Sequence, residues 1–366
     1  MKKCRILYVA SEFAPGMMPF AANIVNIANE QDIFEVYAFF VNSKEKHYNS
    51  LVSLDEDKCY FYEYPSSKFK KIIFKVYPYD MIKCIRKIVK EKAIDKVHFL
   101  TGDFSLALMD LSSYISNDNL YYTVHDLHPH TSNTMSCVGK ILHRHVIKAT
   151  KHLIDKIPNL TTCSIVQLNE LRMRFPEKNV SYSHFPSLLT QEIKNGDRQV
   201  PELQNINDYV LFFGTVDHYK GVDDLILAFE NSKLKNKCKL VIAGKGNINM
   251  KYSSDIIFLN RFILDNEIKD LFEKARLVVY PYRNMTMSGV LSLAFYFQKR
   301  IICSNLSFFK QYDNNSISFF EQGNIRELAE CLNKQYDKTP EKIRVYEEYF
   351  SDNELLHSLL NFYKLI

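Results

Sequence analysis

The sequence predicts an α/β protein with two doubly wound domains, each built on a parallel sheet with helices packed against it. The chain has 366 residues, which is more than a single hydrophobic core normally serves. Short runs rich in Val, Ile, Tyr and Phe alternate with helical patterns throughout, and such runs suit strands that are buried on both faces. The polar stretch 190–207 interrupts this alternation and is typical of a linker.

The first domain is predicted over residues 1–195. Its strand-like runs are 5–10, 34–40, 58–64, 96–100, 120–124, 160–164 and 179–185, and its helical patterns include 17–30, 78–92, 104–115 and 135–156. The N-terminus has basic residues, an apolar run of about seven residues and then Glu12, which predicts a first strand and not a signal peptide.

The second domain is predicted over residues 196–338, and residues 339–366 are predicted to be helices that cross back to the first domain. Its strand-like runs are 209–214, 238–244, 255–260, 276–282, 300–305 and 317–320, with helices near 220–231, 265–274, 288–297 and 323–335. Ligands of open α/β sheets bind at the carboxyl ends of the strands, so two such domains predict a cleft lined by both sheets.

Cysteine usage and hydropathy indicate a cytoplasmic protein without a membrane span. The eight cysteines are scattered and form no CxxC pair, as expected for reduced thiols and not for a disulfide framework or a zinc ribbon. No apolar run reaches the roughly 18 residues that a spanning helix needs.

Positive charge is concentrated in two helical segments of the first half, although the net charge is only +5. Residues 68–96 contain ten Lys and Arg against three acids, and residues 140–156 contain five against one. A basic amphipathic helix can lie on an anionic membrane surface, and a solvated basic face is the alternative. Nucleic acid is not expected as a partner, because no nucleic-acid-binding motif accompanies the charge.

Three motifs of the second half place polar or glycine residues just after strands. In "VLFFGTVDHYKGVDD" (210–224) the strand ends at Gly214, and Lys220 follows where an ammonium group can meet a phosphate; an ordinary surface lysine is the alternative. In "LVIAGKGN" (240–247), Gly244 allows the backbone to approach a ligand closely. Arg261 lies in the next strand-to-helix turn.

A fourth motif, "PYRNMTMSGVLSLAF" (281–295), contains Arg283 and then a predicted helix start. Ser288 is predicted to cap this helix, and Gly289 keeps its N-terminus sterically open. Free N–H groups from Ser288 to Val290 and the positive end of the helix dipole favour an anion such as a diphosphate. A serine cap on an ordinary helix is the alternative.

These four motifs, in this order over about residues 210–335, resemble the nucleotide-sugar-binding half of retaining glycosyltransferases of the GT-B fold, glycosyltransferase family 4 (group 1). The resemblance implies two Rossmann-like domains facing a cleft, and transfer of a sugar from a nucleoside-diphosphate sugar with retention. It implies a donor site made of Gly214, Thr215, Lys220, Gly244, Arg261, Arg283, Ser288, Gly289 and Val290. No metal or other cofactor is expected if cationic side chains and a helix N-terminus stabilise the departing diphosphate.

The chain departs from the family pattern at two points. Many members have an arginine directly after the glycine of the first motif, where this chain has Thr215. Arg261 or Arg283 is expected to supply the missing charge, because guanidinium groups suit bidentate phosphate contacts. Members often also carry two glutamates in the fourth motif, and "MTMSGVLSLAF" has none.

The segment "VHDLHPH" (124–130) raises a separate question, because His125, Asp126, His128 and His130 are close enough in sequence to suggest a metal site. Pro129 favours an extended chain, whose neighbouring side chains point to opposite sides. The resemblance implies instead that His125 acts at the donor sugar and Asp126 holds the loop, so that His125, Asp126 and Lys220 are the predicted catalytic residues. A purely structural turn remains the alternative.

The resemblance places the acceptor at the first loop, where Glu12 and Gly16 are predicted to contact it. The adjacent Met17 and Met18 either line the mouth of this site or begin a core helix. An apolar rim with basic helices suits a lipid-linked acceptor. The resemblance implies a glycan or lipid-linked acceptor and a role in surface polysaccharide, capsule or lipopolysaccharide synthesis, with the protein in the cytoplasm or at the inner face of the cytoplasmic membrane. The alternatives are an inactive sugar-nucleotide-binding or scaffold protein, a metal-dependent hydrolase and a sugar-nucleotide epimerase.

Overall fold

The structure is a computed structural model that describes residues 3–11, 17–44, 47–101, 111–128, 137–338 and 345–365. The chain forms two compact units, the first made of Met1–Pro186 and Asp352–Ile366 and the second of Ser187–Ser351. Each unit contains one sheet, and every strand pair in both sheets is parallel. The predicted α/β class with two doubly wound sheets is therefore confirmed.

The sheet of the first unit has seven strands in the order β3-β2-β1-β4-β5-β6-β7. The strands are β1 (Cys4–Ala10), β2 (Phe34–Asn42), β3 (Cys59–Glu63), β4 (Lys96–Phe99), β5 (Leu120–Thr123), β6 (Asn159–Thr162) and β7 (Asn179–Tyr182). The chain order reverses between β1 and β4, which makes that point the topological switch of this sheet.

The helices of the first unit that belong to the described residues are α1 (Met17–Asn29), α2 (Lys68–Val76), α3 (Tyr79–Glu91), α4 (Cys137–Lys156), α5 (Ile165–Arg174) and, near the C-terminus, α13 (Asp352–Phe362). The basic segment 68–96 forms two helices because Pro78 stands between them, and proline lacks the N–H that a continuous helix needs. Residues 104–110 of the predicted helix 104–115 lie outside the described residues. Helix α5 was not predicted.

One face of the first sheet is covered by α2, α3, α4 and α5, whose buried side chains share a single core cluster with the strands. Phe74 of α2, Ile85 of α3, Leu153 of α4 and Leu168 of α5 all belong to this cluster. The four helices therefore form one layer, and their other sides point away from the sheet.

The C-terminal segment is anchored in the first unit by a buried chain of polar groups. The hydroxyl of Tyr363 lies 2.6 Å from Nδ1 of His98 and donates to the Tyr8 hydroxyl over 3.2 Å. Nε2 of His98 lies 2.9 Å from the Thr123 hydroxyl. Burial lowers the pKa of His98 to about 3, so this imidazole is neutral at physiological pH and serves as a structural group.

The sheet of the second unit has six strands in the order β10-β9-β8-β11-β12-β13, so its switch point lies between β8 and β11. The strands are β8 (Tyr209–Phe213), β9 (Leu240–Ala243), β10 (Ile256–Leu259), β11 (Ala275–Tyr280), β12 (Arg300–Ser304) and β13 (Ile317–Phe320). The helices are α6 (Gln191–Lys194), α7 (Val222–Glu230), α8 (Asp265–Glu273), α9 (Val290–Tyr296), α10 (Ser307–Lys310), α11 (Ile325–Tyr336) and α12 (Tyr346–Phe350). Within the ranges given above, no helix is both long and apolar enough to cross a membrane.

Candidate functional site

The loops that follow β8 and β11 meet at the switch point of the second unit. The backbone N–H of Arg283 donates to the carbonyl of Tyr219 over 2.8 Å and ties the two loops together. Gly221 has φ of +65°, and a Cβ there would lie 2.0 Å from the carbonyl oxygen of Pro281, so only glycine allows this approach. The loop that carries Lys220 is therefore held against the end of β11.

Lys220 is a cation at this point, and the carboxylate of Asp217 only partly offsets the effect of burial on its pKa. Its side chain is buried, and Nζ donates to the Tyr282 hydroxyl over 2.8 Å and lies 3.9 Å from the centre of that ring. Among the residues described, no carboxylate forms an ion pair with it. Burial lowers the pKa of Lys220 to about 7, because taking an ammonium group out of water disfavours its charged form. An anion bound here would supply the missing opposite charge.

Tyr282 connects Lys220 with Ser288, and sequence reasoning did not single it out. Its hydroxyl accepts from Lys220, and the ring is fully buried. Burial raises the pKa of this phenol, and the Ser288 side chain offsets part of that rise. The prediction that Ser288 caps the following helix is wrong. Gly289 is the N-cap of α9, and no side chain caps the helix. Val290 begins the helix, and its carbonyl accepts from the Tyr280 hydroxyl over 3.2 Å.

The predicted site residues Thr215 and Gly244 lie at the same edge, Thr215 on the loop after β8 that also carries Lys220 and Gly244 after β9. Thr215 follows Gly214 directly and is exposed. Gly244 directly follows β9, and a Cβ there would lie 1.9 Å from the carbonyl oxygen of Gly214. The close approach that this glycine permits in the structure is therefore to the neighbouring backbone.

The two arginines proposed as substitutes for the missing family arginine are both held by carboxylates. Arg283 binds Asp224 through Nε at 2.9 Å and Nη2 at 2.7 Å, and it binds Asp223 through Nη2 at 2.8 Å. Arg261 forms paired hydrogen bonds with Glu202 and Glu267. The charges of both guanidinium groups are therefore already balanced by carboxylates. Phosphate binding by the arginines stays a prediction.

In the first unit, His125 follows β5 near the carboxyl edge of the sheet. Its Nε2 donates to the carbonyl of Leu100, just beyond β4, over 2.6 Å, and its ring packs edge-on against Phe20 at 4.6 Å between centroids. Burial lowers the pKa of His125 to about 4. The imidazole is therefore neutral at pH 7, and because Nε2 carries the proton, Nδ1 is a hydrogen-bond acceptor.

Asp126 and His128 of the histidine-rich segment have structural partners. Asp126 accepts from the backbone N–H of His128 over 3.0 Å, which stabilises the turn, and His128 Nε2 lies 2.9 Å from Glu170. Gln167 holds the same turn by accepting from the N–H of Leu127 over 2.6 Å. In the described part of the chain, no group of three or more His, Cys, Asp or Glu side chains is placed to bind a metal ion. His130 lies outside that part, as do the predicted acceptor residues Glu12 and Gly16.

Residues 207–338 match a family model described as Glycosyl transferases group 1, and this match covers most of the second unit. This part of the chain is therefore similar to the group 1 glycosyl transferases. An uncharacterized glycosyltransferase of Methanocaldococcus jannaschii is 25% identical over 240 residues, and the chain spans 60% of that relative's length.

The fold is that of GT-B glycosyltransferases. A crystal structure of HepE from Anabaena in complex with UDP and glucose has a TM-score of 0.71 and 14% identity, over 99% of this chain and 100% of that one. WaaG, a glycosyltransferase involved in lipopolysaccharide biosynthesis, has a TM-score of 0.62 and 13% identity, over 99% of each chain. At these identities the likenesses show the fold alone. The donor, the acceptor and the assignment to glycosyltransferase family 4 stay predictions.

A substitution of Arg261 tests whether this residue stabilises the buried Glu267 carboxylate or binds the donor. The Glu267 side chain is only 1% exposed, and Arg261 Nη1 lies 2.6 Å from it. The substitution Arg261→Met is expected to lower the free energy of unfolding by about 3 kcal/mol, because it leaves a buried carboxylate without its main partner. Urea unfolding checks this, and Arg261→Met/Glu267→Met should lose less than the two single losses added together. A variant that kept its stability but lost donor affinity would instead assign Arg261 to the ligand.

Proposed function

We propose that the protein is a retaining glycosyltransferase that moves a sugar from a nucleoside-diphosphate sugar to a glycan or lipid-linked acceptor. The observation that carries the proposal is Lys220, a buried ammonium group that forms no ion pair with a described carboxylate, at the switch point of a unit similar to the group 1 glycosyl transferases. Ligands of open α/β sheets bind at such points. A diphosphate is the anion that the donors of these enzymes would bring there.

In the proposed reaction, the bond between the anomeric carbon and the diphosphate breaks and a bond to the acceptor oxygen forms on the same face of the sugar. The acceptor hydroxyl gives its proton to an oxygen of the departing diphosphate. Lys220 stabilises the charge that develops on that diphosphate, and the Tyr282 hydroxyl fixes the position of Nζ. This division of roles needs no protein carboxylate, which fits the absence of acids in residues 285–295.

We propose that His125 contributes a neutral imidazole at the sugar. Since Nε2 is committed to Leu100, Nδ1 can accept a hydrogen bond from a sugar hydroxyl. The pKa of about 4 means that His125 is not a general acid near pH 7. Asp126 supports the loop through the hydrogen bond that it accepts from the backbone N–H of His128.

The proposed setting is the synthesis of a bacterial surface polysaccharide, capsule or lipopolysaccharide at the inner face of the cytoplasmic membrane. The likeness to WaaG supports it at the level of fold, and the free cysteines suit a reducing compartment. HepE, which has been solved with UDP and glucose, makes a UDP-sugar the first donor to test.

A thermal-shift screen with UDP-, GDP-, ADP- and dTDP-sugars tests the donor class. A donor present at 100 times its Kd is expected to add about 2.7 kcal/mol of stability, which raises the Tm by several degrees. Incubation of the donor that binds with candidate acceptors, followed by NMR of the new glycosidic bond, then tests transfer and retention.

The outcomes of this screen separate the proposed function from its alternatives. Binding without turnover would favour an inactive sugar-nucleotide-binding protein, and conversion of the donor sugar without an acceptor would favour an epimerase. If no donor shifted the Tm and no product formed, the proposal would be wrong.

A further inference from the structure

Helix α2 of the first unit carries its apolar stripe on the side that faces away from the protein. Phe69, Ile72 and Ile73 lie on one side of the helix, and their side chains are 72%, 51% and 49% exposed. An amphipathic helix of a globular protein normally turns its apolar stripe towards the core. Here the core contact is made mainly by Phe74, which is 4% exposed and packs against Tyr62 and Tyr64.

Aromatic side chains extend this apolar surface beyond the helix. Tyr77 and Tyr79, which flank Pro78, are 43% and 57% exposed. They also line a cavity of about 780 Å³ beside α2, whose charged lining residues are Lys44, Lys70, Glu63 and Asp80. Tyrosine combines an apolar ring with a polar hydroxyl, which suits a position between an apolar phase and water.

Lysines border the exposed stripe on both sides. Lys68 and Lys70 are exposed, and Lys71 lies over the ring of Tyr64 with Nζ at 5.7 Å from its centre. The outer side of α3 adds the exposed Lys83 and Lys90. Apolar side chains bordered by ammonium groups match the two parts of an anionic bilayer surface, which are acyl chains beneath negatively charged headgroups.

Helix α4 belongs to the same layer and adds positive charge of the same kind. Its exposed residues include Ile141, Arg144, Lys148 and Lys151, which recur at spacings that place them near one side of a helix. Both α3 and α4 pack on the same face of the sheet through the shared core cluster, so their outer sides are exposed on the same side of the first unit. A second copy of this chain is a poor occupant, because two such surfaces would bring like charges together.

We propose that this surface, formed by the exposed stripe of α2, Tyr77, Tyr79 and the lysines of α2 and α3, docks on anionic phospholipid bilayers. Phe69, Ile72 and Ile73 enter the region between headgroups and acyl chains, and the lysines contact lipid phosphates. Docking is independent of donor binding in the second unit and holds whether or not the proposed transferase activity is correct.

The chain contains no tryptophan, so a single introduced tryptophan reports on this surface without background. In Phe69→Trp, emission is expected to shift to the blue on addition of vesicles of phosphatidylcholine and phosphatidylglycerol in equal parts, and brominated acyl chains are expected to quench it. Phe262→Trp is the matched control, because Phe262 is 62% exposed but lies in the second unit. An unshifted Phe69→Trp spectrum, or equal quenching in both variants, would overturn the proposal.

Vesicle flotation separates the apolar and ionic parts of the interaction. Phe69→Ser/Ile72→Ser/Ile73→Ser is expected to lower the partition coefficient about 100-fold, because three partly inserted apolar side chains are lost. Lys68→Gln/Lys70→Gln is expected to lower it about 30-fold at low salt. The exposed pair Lys233 and Lys235 of the second unit, changed to glutamine, gives the charge-matched control.

Docking is expected to weaken with added salt and on pure phosphatidylcholine vesicles. Equal binding to neutral and anionic vesicles would overturn the ionic part of the proposal. Sedimentation equilibrium without vesicles tests whether a second copy of the chain occupies this surface. If the unaltered protein were a dimer and the variant Phe69→Ser/Ile72→Ser/Ile73→Ser a monomer, the surface would serve self-association. Thermal shift by the donor, measured on the same variants, should be unchanged, which keeps this test separate from that of the proposed function.

Discussion

Replacing Lys220 by methionine is expected to lower kcat/KM for the donor by about 100-fold or more while leaving the stability of the protein intact. Loss of one preorganised group that stabilises developing charge commonly costs this much. Stability is retained because the substitution removes a buried ammonium group that forms no ion pair in the described chain, and methionine fills a similar volume. Donor titrations and urea unfolding of the two proteins measure both effects.

The pH dependence of donor binding gives a second signature of Lys220. Its pKa of about 7 means that the free protein loses this charge as the pH rises through neutrality. A bound diphosphate favours the protonated form, so donor affinity should fall about tenfold per pH unit above pH 7. A nucleotide sugar has no phosphate proton to lose in this range, so Lys220 would be the source of the pH dependence. The fall in donor affinity above pH 7 should therefore be absent in Lys220→Met.

The matched control for Lys220 is Lys251→Met, at an exposed lysine of the same unit. This variant should keep the affinity, the rate and the pH profile of the unaltered protein. If Lys220→Met bound the donor as tightly as the control did, the diphosphate would lie elsewhere and the role assigned to Lys220 would be refuted.

The fold could be predicted from local patterns because both sheets are parallel and buried. Their strands are continuous apolar runs such as "YVLFF" in β8 and "ARLVVY" in β11, and each was predicted to within a few residues. Lys220 was predicted for a related reason: it follows a strand end, and in parallel sheets strand ends gather at one edge.

The partners of the site residues could not be predicted, because they come from distant parts of the chain. Arg261 meets Glu202, which is 59 positions away, and Arg283 meets Asp224 at the same separation. A sequence pattern shows an arginine after a strand, but it does not show the carboxylates that neutralise it. The role of Tyr282 was hidden in the same way, because a tyrosine at the end of a buried strand looks like a core residue until Lys220 is placed beside it.

The outward orientation of α2 is a further property that periodicity alone does not give. The pattern of "KFKKIIFKV" predicts an amphipathic helix but not which side meets the core. That choice is made by Phe74, which occupies the space beside Tyr62 and Tyr64 and leaves the stripe of Phe69, Ile72 and Ile73 outside. The sequence alone therefore could not distinguish a membrane-binding helix from a helix with a solvated basic face, because that choice depends on which side of α2 is exposed.

The substitution Gly244→Ala is expected to cost about 3 kcal/mol of stability or more and to reduce donor affinity as well. Gly244 has φ of +148°, which side chains rarely tolerate, and its added Cβ would lie 1.9 Å from the carbonyl oxygen of Gly214. Backbone atoms at that distance must move apart, so the strain would displace the loop that leads from Gly214 to Lys220. Urea unfolding and donor titration of the same variant measure the two losses.

The control variant Gly323→Ala measures what an unfavourable backbone angle alone costs in stability, without the steric clash that Gly244→Ala adds. Gly323 also has a positive φ, +77°, but nothing lies within 4 Å of an added Cβ. It should therefore lose only the roughly 1 kcal/mol that a left-handed alanine costs, with no change in donor binding. A Gly244→Ala protein as stable as Gly323→Ala but impaired in donor binding would mean that Gly244 leaves room for the ligand. If stability and donor affinity fall together in Gly244→Ala, Gly244 is needed to pack the backbone after β9 against the loop that begins at Gly214.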